Sequence, residues 1–518
     1  MPNDRTASDR QGPVARALDQ VSRWAPACCL AIVLLGLAIR LLALPHSLWV
    51  DEVASVKFAD QPWSNLWSDW MRRETNPPLF YSVLKLWTQV AGGSDPALRL
   101  PSLFYGCGAM VLAYLLGDKL AGPWAGLAAA SLLAVSPAEV QYSLEIRGYG
   151  QAQFAALVSL LGLLTFCDAD RRRTRWMGLG AYAVGCVAAL YSHTMLLLYP
   201  AIAAPWVIAW LVVVRRTGKA MVLEWLAANA VILLAWAWWL SITLWQVRHP
   251  ANLTWIPHPT PSLAVNYVVR TYGPGGWNLR VGAAAVAMLA ALGSMVWAHR
   301  RRASLVLPLC AVGAPALLFL LSAVTPVMLP RAFFWAVGPF LITVALGLVA
   351  IRSRLLGAAL FGLIVLLNLS GVRAYLRRPD PEPYSQIVSQ IRAADPMATV
   401  VATKAAVAMS LARYCPKPSC GLALMTLKIQ ESWAVGMPTP HPVATADLPA
   451  LLACRGRIYT VARGGTGDPT AILRTVADPE DQTQRLMAGK SLVVTRWRRK
   501  GGTQVAGGSQ CAARSAAP

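Results

Sequence analysis

The chain has 518 residues, of which 56% are hydrophobic and only 14% charged, with 21 Trp and a formal net charge of +23. That composition excludes a water-soluble globule of this length and predicts a polytopic membrane protein. The Lys and Arg residues sit in short clusters between apolar runs, so the positive charge reports membrane topology and gives no reason to expect nucleic acid as a partner.

The first 24 residues are polar and contain four Arg. The apolar run that follows, 25–44, has about the 20 residues a spanning helix needs. It is longer than a signal-peptide core and no small-residue cleavage site follows, which predicts a retained anchor with residues 1–24 as a cytoplasmic tail. Basic clusters then recur at Lys119, at Arg171, Arg172, Arg173 and Arg175, at Arg215, Arg216 and Lys219, at Arg300, Arg301 and Arg302, and at Arg352 and Arg354. Each marks a cytoplasmic turn, and two apolar segments separate consecutive clusters. The predicted spans are 25–44, 100–117, 121–137, 150–167, 176–194, 196–214, 222–242, 281–298, 303–322, 332–351 and 354–372. That is about eleven in all, which puts the C-terminal region on the outer side. Residues 77–92, PPLFYSVLKLWTQVAG, are short for a span and carry Lys85. Crossing there would reverse the side of every later Arg cluster, so they predict an amphipathic helix in the outer interface.

Four segments then face outward: 45–99, 138–149, 243–280 and 323–331. The first carries the adjacent acids Asp51 and Glu52. A charge in hydrocarbon costs roughly 2.5–3.5 kcal/mol on insertion scales, and a hydrated loop is the ordinary explanation of such a pair. The second, SPAEVQYSLEIRGYG, holds Glu145, Arg147 and Tyr149; residues two apart face away from each other on a helix but converge from an irregular turn, and an interfacial Arg and Tyr are the plain alternative. Arg331, in TPVMLPRAFF, reads alone as a snorkelling side chain. Taken together, Asp51, Glu52 and Glu145 with Arg99, Arg147 and Arg331 place several acids and several cations at one boundary. Carboxylates serve as general bases or bind a divalent cation, and Arg holds phosphate in bidentate fashion. That inventory suits departure of a phosphate beside a hydroxyl that loses its proton. The long third segment, rich in Trp, Pro and Gly, fits an interfacial cap or a substrate loop.

After about residue 375 the composition becomes less apolar, with one helix-period stretch and several Val-rich runs. Residues 376–500 predict a small extracytoplasmic α/β domain, and 501–518 a disordered Gly/Ala/Ser tail. Six of the ten Cys lie in or beside spans as thiols, whereas Cys415, Cys420, Cys454 and Cys511 fall in the outer domain. An oxidising compartment permits disulfides there, and Cys415–Cys420 is the simplest pairing.

SLWVDE after the first span, then NPPLFY, RLPS and SP…QYSLEIRGY, resemble the membrane glycosyltransferases of the GT-C type. Within that class the chain looks like bacterial members related to the dolichyl-phosphate-mannose protein mannosyltransferases and to the aminoarabinose transferases of lipid A. The resemblance covers roughly residues 25 to 375. It implies a mainly α, multi-pass enzyme of the bacterial plasma membrane that moves a sugar, with inversion, from a polyprenyl-phosphate-linked donor to an extracytoplasmic acceptor hydroxyl on a lipid, polysaccharide or protein. By the same resemblance Asp51 is the base and Glu52 positions the acceptor or tunes its neighbour, either acid being able to take the proton. Glu145 is the second-loop acid, which orients a substrate or, with Asp51, completes a cation site. Arg147 and Arg331 neutralise the leaving phosphate beside Tyr149; Arg99 joins them or pairs with Asp95. Asn76 and the prolines after it shape the entry to the interfacial helix. Leu144 and Ala332 depart from the family pattern, which often has Gln before the second-loop acid and Tyr after the later Arg. His193, at the outer end of a span, reads as structural or as a substrate contact. The rival readings are a transporter or flippase of a lipid-linked saccharide, which normally places its ionisable residues near mid-membrane in paired repeats, and a non-catalytic scaffold.

Overall fold

The computed structural model of the chain describes residues 23–44, 46–214, 219–250, 256–273, 302–380, 382–416, 418–427, 437, 439–463, 471–487 and 490–500, with scattered positions between 282 and 293. The chain forms two compact units. One runs up to Leu44 and continues over Pro62–Arg377; the other comprises Pro45–Gln61 and the chain from Arg378 on.

In chain order the principal helices are α1 (Ala25–Leu41), α2 (Val50–Ala59), α3 (Leu79–Ala91), α4 (Asp95–Ala121), α5 (Pro123–Val135), α6 (Pro137–Tyr142), α7 (Tyr149–Asp168), α8 (Arg172–Ser192), α9 (Leu198–Ala209), α10 (Lys219–Arg248), α11 (Pro261–Tyr272), α12 (Val306–Leu321), α13 (Val337–Ala350) and α14 (Arg354–Leu376). Of these only α2 belongs to the second unit. A helix lies over each predicted span except 281–298, most of which falls outside the described residues, as do nearly all of 1–24 and all of 501–518. Among the described residues five helical stretches are long and apolar enough to cross a membrane, Asp95–Ala121, Tyr149–Asp168, Thr194–Val213, Lys219–Arg248 and Arg354–Leu376, with shorter apolar helices besides. The protein is a multi-pass membrane protein. The helix α3 has 13 residues, too few to span at 1.5 Å per residue; Phe80, Tyr81 and Leu84 are buried while Leu86 and Val90 are exposed.

Within the first unit α7 is central and mostly buried, whereas α10 and α14 turn most of their apolar surface outward, as helices bathed in lipid do. The closest packing joins α7 to α8. A Cβ at Gly162 would stand 2.4 Å from the Tyr182 amide nitrogen, so only glycine lets these backbones approach so nearly. Arg40, on α1, is completely buried. Its guanidinium donates to Gly36 O, to Leu133 O and Ala134 O at the open end of α5, and to Ser143 Oγ. It thereby satisfies carbonyls that the end of α5 leaves without helical partners.

Among the described residues the second unit is built on a six-stranded sheet of order β3-β2-β1-β4-β6-β5. The strands are β1 (Thr399–Ala402), β2 (Ala423–Leu427), β3 (His441–Val443), β4 (Arg457–Arg463), β5 (Ala477–Met487) and β6 (Lys490–Arg499). Strands β1 to β4 pair in parallel and β5 and β6 antiparallel. Alternation along β1 sends Val400 to one face and Val401 to the other. Val400 packs with α15 (Tyr384–Ala394) and α16 (Ala405–Arg413) through Ile387, Val407 and Leu411, and Val50 of α2 lies in that same core. Val401 packs on the opposite face with Leu427, Ile458, Trp497 and Leu448 of α17 (Leu448–Arg455). The predicted outer segment 45–99 is therefore divided: its first part is built into the α/β unit. Cys415 and Cys420 form a disulfide, and Cys28, Cys29, Cys107, Cys167, Cys186 and Cys310 are not in disulfides.

Candidate functional site

In the first unit the turn between α6 and α7 presents Glu145, Arg147 and Tyr149. It is held from several sides. Arg147 N donates to Glu145 O at 2.7 Å, Ser102 Oγ donates to the same carbonyl at 2.7 Å, and Gln141 Nε2 donates to Glu145 Oε1 at 2.9 Å. At Gly148 a Cβ would meet Ser192 O at 2.4 Å, so glycine there allows the turn to sit against the end of α8. Arg147 is thus aimed into a buried setting, 93% removed from solvent.

Its counter-ion is Glu74, a residue that sequence reasoning did not select. Arg147 Nη2 lies 3.7 Å from Glu74 Oε1, and both side chains are buried. Glu74 Oε1 also accepts from Asn76 N at 3.1 Å and Asn76 Nδ2 at 3.0 Å. Asn76 thus holds the acid, beside the expected Pro77–Pro78 entry to α3. The backbone around Glu74 is pinned in turn: Gln246 Nε2 donates to Glu74 O at 2.6 Å and to Arg72 O at 3.1 Å, and Thr194 Oγ1 donates to Thr75 O at 2.6 Å. Burial raises the Tyr81 hydroxyl well above the usual tyrosine range, and its hydrogen bond to Glu74 adds to this.

An aromatic wall surrounds the pair. The Arg147 guanidinium is 6.0 Å from the Tyr149 ring centre. Tyr149 lies edge-on to Tyr142 at 5.4 Å and 5.5 Å from His193, and Tyr142 meets Phe334 at 4.5 Å. Tyr142 is also held above its ordinary pKa, first by burial and then by Glu145 and Tyr149, while Arg331 acts in the opposite direction. Arg331 and Arg147 both act on His193. The structure therefore sets Arg147 and Asn76 on Glu74, Tyr149 beside Arg147 and His193 beside Tyr149, and Arg331 near enough to act on Tyr142 and His193, with Glu145 in the same turn as Arg147. Arg99 is placed differently: it is buried in the second turn of α4 and donates to Leu44 O at 3.2 Å. It lies inside a helix because Asp95 and Pro96 start α4 earlier than the apolar run does.

Asp51 and Glu52 stand in the first turn of α2, in the second unit, where the helix dipole favours negative charge. Asp51 is half-buried and Glu52 buried. Glu52 Oε2 accepts from Trp49 N at 3.2 Å, the returning half of a capping box. The strand of chain leading in is held by distant residues of the same unit: Ser47 N donates to Asp380 Oδ2 at 2.8 Å, Leu48 N to the Tyr414 hydroxyl at 2.6 Å, and Val50 N to Glu382 Oε2 at 2.9 Å. Glu382 is buried and pairs with Arg463 at 2.8 Å. Burial raises the Glu382 carboxyl above its usual range, opposed by Arg463 and by the Val50 amide. Among the described residues no group of three or more His, Cys, Asp or Glu side chains is arranged to hold a metal ion. Of the two residues named as cation ligands, Asp51 belongs to the second unit and Glu145 to the first.

Residues 75–240 match the family described as dolichyl-phosphate-mannose-protein mannosyltransferase. No curated protein sequence matches the chain. Among solved structures, ArnT from Cupriavidus metallidurans in the apo state aligns over 92% of this chain and 98% of its own, with a TM-score of 0.62 at 13% identity. The same protein bound to undecaprenyl phosphate aligns over the same shares, with a TM-score of 0.59 at 14% identity. Agreement over nearly the whole of both chains establishes that this chain has the GT-C membrane fold with a small C-terminal sheet domain.

Proposed function

We propose that the chain is an integral membrane glycosyltransferase that moves a sugar from a polyprenyl-phosphate donor to an acceptor hydroxyl on the extracytoplasmic side of a bacterial plasma membrane. The observation that carries this reading is the buried Arg147–Glu74 pair, with Arg331 and an aromatic wall beside it, in a fold shared with a protein solved with undecaprenyl phosphate bound. A guanidinium sealed from water keeps a counter-ion, and an arriving phosphate, with more acceptor oxygens in the same fork geometry, can replace it.

The acceptor oxygen attacks the anomeric carbon from the face opposite the phosphate. The new C–O bond forms as the C–O bond to phosphate breaks, so configuration inverts and the bonding electrons leave with the phosphate. Arg147 and Arg331 neutralise the charge that develops there, an effect that is strong where water is excluded. Asp51 receives the acceptor proton. Glu52 keeps the first turn of α2 intact, Glu145 orients substrate from its tie to Gln141, and Tyr149 with Asn76 shapes the phosphate side. The disulfide Cys415–Cys420 in the second unit supports an oxidising, extracytoplasmic placement.

The test is sugar transfer in membranes of a strain lacking the native gene, supplied with a polyprenyl-phosphate-sugar extract. Wild type transfers sugar; Asp51→Asn, inserted at equal level, is expected to lose about 10²-fold or more, and Arg147→Ala a comparable factor of about 10²–10³. An Asp51→Asn enzyme as active as wild type would remove the base assignment. Export of lipid-linked saccharide without any transfer would install the transporter reading in its place.

A further inference from the structure

The start of α2 is capped in an unusual way. A helix leaves its first amides without partners, and a Ser, Thr, Asp or Asn at the N-cap ordinarily supplies one acceptor. Trp49 holds that position here and its side chain caps nothing. The Val50 amide instead finds its acceptor 332 residues away, in Glu382 Oε2. Glu382 is only 2% exposed, and its other oxygen is bound to Arg463, the last residue of β4. One continuous chain of charge-assisted bonds thus runs from the central sheet to the amide that immediately precedes Asp51. Two neighbours repeat the pattern, Ser47 N on Asp380 and Leu48 N on the Tyr414 hydroxyl, and Val50 is sealed in the core between α15 and α16.

We propose that the C-terminal α/β unit serves the transfer reaction by positioning Asp51, with Glu382, anchored by Arg463, as the positioning residue. The proposal rests on the glycosyltransferase reading given above and adds to it a role for the second unit. The physical need is specific. A general base works only within about 2.6–3.2 Å of the proton it removes, and displacement by about 1 Å costs on the order of 10² in rate. An acid on an outer loop of a membrane protein would wander over more than that. Here three amides within four residues are tied to side chains of the sheet domain, so Asp51 is held as rigidly as the core it rests on.

The experiment uses the full-length protein in lipid nanodiscs, with kcat and KM measured for a polyprenyl-phosphate sugar. Glu382→Ala is expected to lower kcat by about 10²-fold with KM changed less than about threefold. Glu382→Gln, whose amide oxygen still accepts from Val50 N, is expected to restore kcat to within about tenfold of wild type. The decisive arm is the Asp51→Asn background, where a residue that acts only through Asp51 has nothing left to act on; there Glu382→Ala causes no further loss. A wild-type kcat in Glu382→Ala, or the same fold-loss with and without Asp51, overturns the proposal while leaving the base assignment standing. Full activity of Asp51→Asn alone overturns both. Should Glu382→Ala fail to accumulate, Arg463→Gln releases the anchor while keeping the cap; a smaller kcat loss that vanishes in the Asp51→Asn background supports the proposal, and an additive loss sinks it.

Discussion

A carboxylate removed from water is either paired or reluctant to ionise, and the first unit contains both kinds. Glu74 is of the first kind, with Arg147 at 3.7 Å and three donors around it. Glu139 is of the second. It is 1% exposed, accepts from Gln153 Nε2 at 2.6 Å, and burial lifts its carboxyl from 4.5 to about 7. Because the folded-state value lies above the unfolded one, the folded chain binds this proton more tightly. Glu139 therefore favours folding below the unfolded value, and that contribution is lost as pH rises toward 7. Glu139→Gln keeps the size and the acceptor, so thermal unfolding followed between pH 5 and 8 is expected to fall less steeply with pH than for wild type; parallel curves would show that Glu139 is ionised throughout. These two acids also mark what a sequence discloses at this scale. Glu145, Arg147 and Arg331 were legible because each stands at the edge of an apolar run. Glu74 and Glu139 stand there too, but nothing local separates an acid facing water from one facing an arginine brought in from another helix.

Elements were more legible than residues, because hydropathy is a property of a window and averages over single side chains. Helices lie over the predicted spans wherever the residues are described, and α3 forms where an interfacial helix was expected. Their ends differ where helix continues through polar residues that a hydropathy window does not score. Thus α10 extends to Arg248 and α4 begins at Asp95. What hydropathy also misses is which faces touch. The α7–α8 pair is a contact between backbones, and a Cβ at Gly178 would stand 2.5 Å from Phe166 N, whereas at Gly180, two residues on, nothing lies within 4 Å. Gly178→Ala is expected to lower stability by about 1–3 kcal/mol, since backbone cannot yield as a side chain can. Gly180→Ala should be neutral or slightly stabilising, because alanine is the better helix former by up to about 1 kcal/mol. Equal melting temperatures for the two variants would mean that α7 and α8 are less tightly joined than described.

At the scale of the whole molecule, the α/β character of the C-terminal region was legible from its Val-rich runs, but its true membership was not. Residues 45–61 belong to it, and no local pattern could reveal this, because the partners of Ser47, Leu48 and Val50 lie more than 330 residues away. Truncation after Leu376 is accordingly not a clean domain deletion. It would strip the α15–α16 core from Val50 and the acceptors from three amides, and the truncated protein is expected to retain less than about 1% of transfer activity, on the same displacement argument. Near-normal transfer by the truncated chain would show that the first unit alone suffices.

The discontinuity of the second unit also sets an order of events during synthesis. The segment that bears Asp51 leaves the ribosome first, and Glu382 follows 332 residues after Val50, a wait of roughly 15–70 s at ordinary elongation rates of about 5–20 residues per second. Through that interval the helices of the first unit can be inserted while the acid-bearing segment has no sheet to rest on. Among the described residues the last strand in chain order, β6, pairs with the β4 that carries Arg463. On the proposed positioning, the seat of Asp51 is complete only once β6 has been made, and a chain interrupted before β6 is expected to be inactive.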